Sequence, residues 1–226
     1  VIDLALQNMD KPIEISTTVG TSNFMGLEKY MVQEGMVYNF VKGDLNPKRN
    51  AFDAAYTANL IDSVFKFRGL GDGTAYINSE TERLLSGYVS LYLQISFDTR
   101  DKISNLRNSH PFTAEKKAQV DSLAASASKY LELGMKQFPS EWRNYWAAAF
   151  VYEAAGQKAK AQEVLNRGLE NVPAYEEGGR ARLLMSGRQI EMMSDEPLKV
   201  EAPAEPATDS AEKDSAKEPA VVAAAE

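Results

Sequence analysis

Apolar residues recur three and four positions apart through most of the chain after residue 51. This spacing places them on one face of an α-helix and predicts a series of amphipathic helices. The helix predicted at 141–155 differs, because Trp142, Trp146 and Phe150 mark one side and Tyr145 and Tyr152 another. A helix that is apolar on two sides is buried between neighbours, so we expect it at the centre of the fold. The predicted helices span about 53–65, 79–97, 114–138, 141–155, 157–171 and 175–193.

One pattern occurs twice within these helices, 34 residues apart. Leu131 and Gly134 are followed by Pro139, and the same three residue types recur at positions 165, 168 and 173. A self-match near this length is the period of tetratricopeptide helix-turn-helix units. In such a unit the leucine packs between paired helices, the glycine admits a neighbouring helix, and the proline ends the helix. The sequence therefore predicts a helical-repeat array.

The first 50 residues follow a different pattern. Apolar and polar residues alternate from Ile13 to Val19, which predicts a half-buried β-strand. Turn residues at 20–23 precede a predicted short helix at 25–33, and a second strand is expected at 36–41. The fold class that we predict is mainly α (α+β). It consists of a small two-stranded α/β N-terminal cap, 1–50, followed by a tetratricopeptide-like antiparallel helical array, 51–194.

The composition changes at the C-terminal end of the chain. Residues 195–226 hold nine acidic residues, three lysines and no aromatic residue, a net charge of −6, whereas residues 1–194 together carry −1. So little apolar surface cannot offset the entropy of ordering, and we predict a disordered acidic tail at 195–226. Because the chain has no basic stripe, we expect no nucleic-acid partner.

The chain has no cysteine and a single histidine, His110. These counts exclude disulfides, thiolate nucleophiles and metal centres built from cysteines or several histidines, and we expect neither a metal nor a cofactor. No apolar run reaches the roughly 18 residues that span a bilayer. The chain begins at Val1 rather than at a methionine, which we interpret as a fragment or a processed product.

The N-terminal half carries a family resemblance. The matching segments are PIEISTTV (12–19), SNFMGLEKY (22–30), QEGMVY (33–38), FKFRGL (65–70) and SETER (79–83), and the resemblance covers about residues 1–193. These segments resemble the soluble C-terminal region of a Bacteroidota family of polytopic membrane proteins that is related to transmembrane protein O-mannosyltransferases. Two features depart from the family pattern. Glu14 stands in place of an aromatic residue, and 98–113 has the character of a loop inserted into the first repeat.

The resemblance implies a multi-span, glycosyltransferase-like half that would precede residue 1 and hold the catalytic acids. This chain would then be a non-catalytic extracytoplasmic domain on the periplasmic face of the inner membrane. Its partners would be an acceptor polypeptide or partner protein, and its own upstream transmembrane region. The alternative, from a different class, is a free-standing periplasmic adaptor that binds a peptide in the groove of its repeats. Catalysis by the fragment itself has little support, because no acids cluster in its sequence.

Three residues are candidate binding residues. Asn23 and Tyr30 belong to the resembling segment 22–30, and Tyr30 also lies in the most distinctive part of the resemblance, Gly26 to Gly35. We expect the loop at 20–35 beside the partner-binding face of the array. Arg68 precedes a glycine-rich connector, and an arginine next to such a connector can grip an anionic group. For Arg68 we favour the alternative of a structural ion pair.

Other groups suggest chemistry but have simpler explanations. The glycines at 69, 71 and 73 lack the lysine of a P-loop, so we favour a turn over a phosphate site. Trp142, Tyr145 and Trp146 suggest a sugar-stacking platform, but their helical spacing favours core packing. The acid pairs at 80/82 and 176/177 suggest glycoside chemistry. Both pairs fall in first helical turns, where the helix dipole favours anions, and Ser79 with Glu82 predicts a capping box. His110 is expected in an exposed loop.

Overall fold

The structure, a computed structural model, describes residues 7–8, 11–24, 26–40, 52–193 and 200. The tail predicted to be disordered lies outside these residues except for Val200. The prediction of a mainly α fold with a small N-terminal α/β cap is confirmed. The helices are α1 (Ala54–Ser63), α2 (Ser79–Asn108), α3 (Ala114–Gln137), α4 (Trp142–Ala154), α5 (Lys158–Asn171) and α6 (Glu177–Met192).

The N-terminal sheet has three antiparallel strands in the order β1-β3-β2, one more than predicted. The strands are β1 (Glu14–Ser16), β2 (Met31–Glu34) and β3 (Val37–Phe40). The predicted helix at 25–33 is wrong: two short 3-10 turns, Thr21–Phe24 and Glu28–Tyr30, lead into β2. The reason is the hairpin, since Gly35 with a φ of 64° turns β2 back onto β3, and cross-strand pairing outweighs the helix preference of the local sequence.

The sheet is joined to α1 through buried polar contacts. The Asp53 backbone N–H donates to the Gln33 carbonyl at 2.9 Å, and the Gly35 N–H donates to Thr57 Oγ1 at 2.9 Å. Asp53 caps α1, because its carboxylate accepts from the Tyr56 N–H. The four-residue spacing of Tyr56, Leu60 and Val64 predicts that they form the apolar face of α1, and this prediction is wrong by one position. None of the three is buried, and the helix buries Thr57 and Ile61 instead.

The second helix is longer than the sequence pattern indicated. It runs for 30 residues, so the loop predicted at 98–113 is wrong and only 109–113 connects α2 to α3. Thr99 and Ile103 are buried on its second half, and an Asp98–Lys102 ion pair of 2.7 Å spans one turn of it. The cap also differs from the prediction, since Asn78 and not Ser79 accepts from the Thr81 N–H.

The helices form two hairpins, α2–α3 and α4–α5, with α6 packed on the second. α4 contacts α2, α3, α5 and α6, which confirms its predicted central position. Three consecutive alanines, 147–149, are buried in α4 and allow its neighbours to approach closely. The main core lies around this helix and includes Ile103, Val120, Tyr152, Leu165 and Leu183.

The repeated leucines and glycines occupy equivalent places in the two hairpins. Leu131 on α3 and Leu165 on α5 are buried. Gly134 lies against the Tyr92 ring of α2, and Gly168 lies against the Tyr145 ring of α4. A glycine thus admits a tyrosine from the first helix of each hairpin, which accounts for part of the repeat pattern.

The last helix is rotated relative to the prediction. The helical spacing of Ala181, Leu184, Ile190 and Met193 predicts that they form its apolar face. Of these four, Ile190 is buried, Ala181 is exposed, and Leu184 and Met193 are 49% and 40% exposed. Gly179, Leu183 and Gly187 are buried in their place. Arg180 fixes the helix to the end of α5, because its guanidinium donates to the Leu169 and Val172 carbonyls at 2.6 and 2.7 Å.

Within the described residues, none of these helices has the length and the apolarity that crossing a bilayer requires.

Candidate functional site

The central helix α4 has one partly exposed stripe, and most of its residues are aromatic. Between Trp142 and Ala154 every residue is buried except Trp142, Arg143, Trp146, Phe150 and Glu153. The three aromatic residues recur every four positions and therefore lie in one line along the helix. An ordinary helix exposes charged and polar residues on its open side, so this stripe departs from the usual pattern.

A phenylalanine from α2 extends this line of rings. The aromatic strip, as we call it, consists of Phe97, Trp142, Trp146 and Phe150. Ring centroids of Phe97 and Trp146 are 6.1 Å apart, those of Trp142 and Trp146 are 6.1 Å apart, and those of Trp146 and Phe150 are 4.8 Å apart. The interplanar angles of 63° to 88° are those of edge-to-face packing. The rings thus hold one another in place while part of their surface stays accessible.

Two arginines from the flanking helices lie over the ends of the aromatic strip. The Arg100 guanidinium of α2 is 5.6 Å from the centroid of Phe150, and that of Arg182 on α6 is 5.7 Å from Trp142. Both arginines are exposed. Guanidinium groups at such distances gain from the negative faces of the rings. Arg100 also forms a long, exposed ion pair with Asp101 at 3.9 Å, which an anionic partner can replace.

The Trp142 indole packs against a glycine of α6, Gly179. A Cβ built on Gly179 would clash with Trp142 Cδ1, so the glycine leaves room for the indole in this position. Three helices therefore form the strip. Phe97 comes from α2, three rings come from α4, and Gly179 of α6 packs against Trp142.

The sequence interpretation of the tryptophan segment was right for one residue and incomplete for two. Tyr145 is 1% exposed, belongs to the core and donates to the Pro139 carbonyl at 2.9 Å. Trp142 and Trp146 are only partly buried and lie on the surface stripe. Arg100 was not recognised, because the predicted loop at 98–113 ended α2 too early. Phe97 lies within the predicted helix, but only the packing of α2 on α4 brings it next to Trp146.

The three predicted binding residues lie elsewhere and in different elements. Asn23 is exposed in the 3-10 turn before β2. Tyr30 is partly buried, packs against Phe40 with ring centroids 5.9 Å apart, and lies under the Lys29 ammonium at 4.7 Å. Arg68 is exposed in the connector between α1 and α2. In the described part of the chain no hydrogen bond or ion pair engages Arg68, so the structural ion pair that we favoured for it is not observed.

The glycine-rich connector forms a turn as expected. Gly69 and Gly73 have φ values of 76° and 70°, and the Ala75 N–H donates to the Gly69 carbonyl at 2.9 Å. The Asp72 carboxylate accepts from both the N–H and the hydroxyl of Thr74, and these bonds lower the pKa of Asp72. An ionised carboxylate within the turn disfavours a phosphate there.

The acidic residues that the structure describes do not form an acid–base pair with a raised carboxyl pKa. Among the described carboxyls whose pKa is shifted, those of Asp62 and Asp72, the shift is downward in both. The Asp62 pKa falls chiefly through its contact with the Lys129 ammonium at 2.7 Å. General acid catalysis near neutral pH needs a raised carboxyl pKa. Glu80 and Glu82 lie in the first turn of α2, as the dipole explanation expects. Glu80 also pairs with Arg83 at 3.3 Å.

No group of three metal-binding side chains comes together in the residues that the structure describes. Comparison of the chain with models of protein families, with curated proteins and with solved structures gives no match.

Proposed function

We propose that this chain is a non-catalytic, polypeptide-binding helical domain whose contact surface is the aromatic strip. The observation that carries the proposal is that three of the five partly exposed residues of the central helix are aromatic, the other two being Arg143 and Glu153. Tryptophan and arginine are the residues that most often dominate the energy of protein contacts, because they bury large areas and donate specific hydrogen bonds. The strip combines two tryptophans with two exposed arginines.

The cellular setting of this domain is proposed from the resemblance of its N-terminal half. In that setting the chain is the periplasmic domain of an inner-membrane, protein O-mannosyltransferase-related protein, and the strip receives an acceptor polypeptide or a partner protein. The upstream transmembrane region of the same protein would be its second partner. The alternative is a free-standing periplasmic adaptor, which uses the same strip with no membrane half. Fractionation of native cells separates them, since the first expects a membrane-bound band well above 24.9 kDa and the second a soluble band near it.

The strip can be tested optically because Trp142 and Trp146 are the only tryptophans of the chain. Peptides would be selected from a random phage-displayed library on the purified chain and titrated while tryptophan emission is recorded. We expect a selected peptide to shift the emission, and Trp146→Ala or Phe97→Ala to weaken its binding at least about tenfold, as hot-spot truncation does. Tyr175→Ala serves as a matched control, because this aromatic residue is 80% exposed and lies outside the strip.

The polypeptide-binding proposal is refuted if no peptide is selected, or if the selected peptides bind the Trp146→Ala and Phe97→Ala variants as well as the unmodified chain. Thermal unfolding of each variant verifies that weaker binding does not reflect loss of the fold.

A further inference from the structure

A cavity lies between the α1–α2 connector and the first half of α2. Its volume is about 420 Å³. It is separate from the aromatic strip, since Leu85 and Phe97 on α2 are twelve residues apart, about 18 Å along the helix. The lining residues are Val64, Phe65, Lys66, Phe67, Arg68, Leu70, Leu85 and Tyr88.

The aromatic wall of this cavity is held rigidly. Phe65, Phe67 and Tyr88 pack edge to face, with Tyr88 5.3 Å from each phenylalanine by ring centroid. Phe67 also contacts Phe138, 5.7 Å away, at the end of α3. Rings with several aromatic neighbours keep their orientation, so the wall exists before any ligand arrives.

Arg68 is positioned at the edge of this wall. On one side its backbone follows Phe67, whose ring is packed in the aromatic cluster, and on the other it precedes the closed turn at Gly69. The backbone is thus fixed while the guanidinium is exposed and has no recorded partner among the described residues. Lys66 supplies a second cation, and its ammonium donates to the Ser63 carbonyl at 3.2 Å. The lining includes two cations and no carboxylate.

We infer that this cavity binds a polypeptide segment in which an acidic residue adjoins an aromatic one. The aromatic side chain would pack against the Phe65–Phe67–Tyr88 wall, and the carboxylate would accept paired hydrogen bonds from Arg68. The choice of a polypeptide rests on the proposed function, and the cavity would give that partner a second contact. The need for an anion rests on the unpaired Arg68 and on the absence of acidic groups from the lining.

The test uses two peptides that differ in one charge, acetyl-Gly-Phe-Glu-Gly-amide and acetyl-Gly-Phe-Gln-Gly-amide. Each is titrated to millimolar concentration into the ¹⁵N-labelled chain, and the backbone amide signals of Gly69, Gly71 and Gly73 are followed. We expect the acidic peptide to move these signals and to bind about tenfold more tightly than the neutral one, since a hydrogen bond to a charged group adds that much.

Arg68→Gln is the diagnostic variant, and Arg83→Gln is its control. Arg83 is also exposed near the start of α2, but it lies outside the lining of this cavity. We expect Arg68→Gln to remove the difference between the peptides and Arg83→Gln to preserve it. Equal binding of both peptides, no movement of the glycine signals, or an unchanged preference in Arg68→Gln overturns the inference.

Tryptophan emission recorded in the same titrations separates this inference from the proposed function. Movement of the glycine signals without a change in emission supports the cavity alone, whereas failure at the cavity leaves the strip to its own test.

Discussion

The close contact between α5 and α4 at Gly168 allows a quantitative prediction for Gly168→Ala. The new Cβ would lie 2.8 and 2.9 Å from Tyr145 Cγ and Cβ and 3.0 Å from Leu183 Cδ1, whereas carbon atoms pack best at about 3.5–4.0 Å. Tyr145 is 1% exposed and its hydroxyl is bound to the Pro139 carbonyl, so the ring cannot move away without losing that bond. Leu183 is fully buried and closes the other side.

Two opposing effects set the size of the change. Replacing glycine by alanine inside a helix gains about 1 kcal/mol, and forcing a methyl group into a packed core costs about 1–3 kcal/mol. Because rigid neighbours meet the methyl on two sides, we expect the cost to dominate, with a net loss of about 1–2 kcal/mol. For a domain of this size that lowers the Tm by roughly 2–8 °C, at about 2–4 °C per kcal/mol.

Gly178→Ala is the matched control. Gly178 lies in the first turn of α6, and a Cβ there would have no neighbour within 4 Å. This variant keeps the helix gain without the clash, so its Tm should stay the same or rise. Both are measured by thermal and urea unfolding, followed by far-ultraviolet circular dichroism. If Gly168→Ala is as stable as Gly178→Ala, the close packing of the two hairpins is not what the repeated glycine provides.

Three further predictions concern charge and ionisation. Asp62→Asn should destabilise the chain at neutral pH, because the carboxylate contacts Lys129. The folded pKa of Asp62 is lowered, so its contribution to the free energy of unfolding is present above the unfolded pKa and is lost as the pH falls through the folded pKa. In urea unfolding, the stabilities of the unmodified chain and of Asp62→Asn should therefore converge in acid. Arg180→Gln should cost about 1.5–3 kcal/mol in thermal unfolding through loss of charged hydrogen bonds to α5, whereas Arg188→Gln on the exposed side should change little. Burial raises the pKa of Tyr92 to about 12, so in a spectrophotometric titration it should ionise after the exposed tyrosines. Its contribution to stability should be lost as the pH rises from about 10 to 12. Because burial also raises the pKa of Tyr130, Tyr145 and Tyr152, Tyr92→Phe should reduce the late-ionising signal by one tyrosine, and an undiminished signal would contradict this.

The helices of the array were predictable where their apolar residues are dense. The spacing of their apolar residues located α3, α4 and α5 to within a few residues, and the two apolar sides of α4 placed it at the centre. The second half of α2 was missed because it is rich in polar residues and buries little beyond Thr99 and Ile103. Its helical state depends on packing against α3 and α4, which the local sequence does not display.

The sheet shows the same limit in the opposite direction. The segment at 25–33 contains good helix formers, but β2 is defined by its pairing with β3. The sequence of a single strand does not show which other segment it pairs with, so the helix propensity of 25–33 predicted the wrong structure.

The candidate surfaces were visible only in part. The regular spacing of Trp142, Trp146 and Phe150 was plain from the sequence, but which side of α4 is covered depends on four neighbouring helices. Arg100 became recognisable once α2 was known to continue past residue 98, and Phe97 once α2 was seen to pack on α4. Whether Arg68 forms an ion pair likewise depends on which charged side chains the fold brings near it.

The central position of α4 has a consequence for how the molecule opens. Its amides lie in a helix that touches four others, so no partial unfolding of the array can expose them without breaking most of the core. Hydrogen exchange at those amides should therefore report the global free energy of unfolding. The sheet and α1 are attached by fewer contacts and can separate on their own, so their amides should exchange sooner. The chain would thus have a slow-exchanging centre and a faster-exchanging N-terminal part.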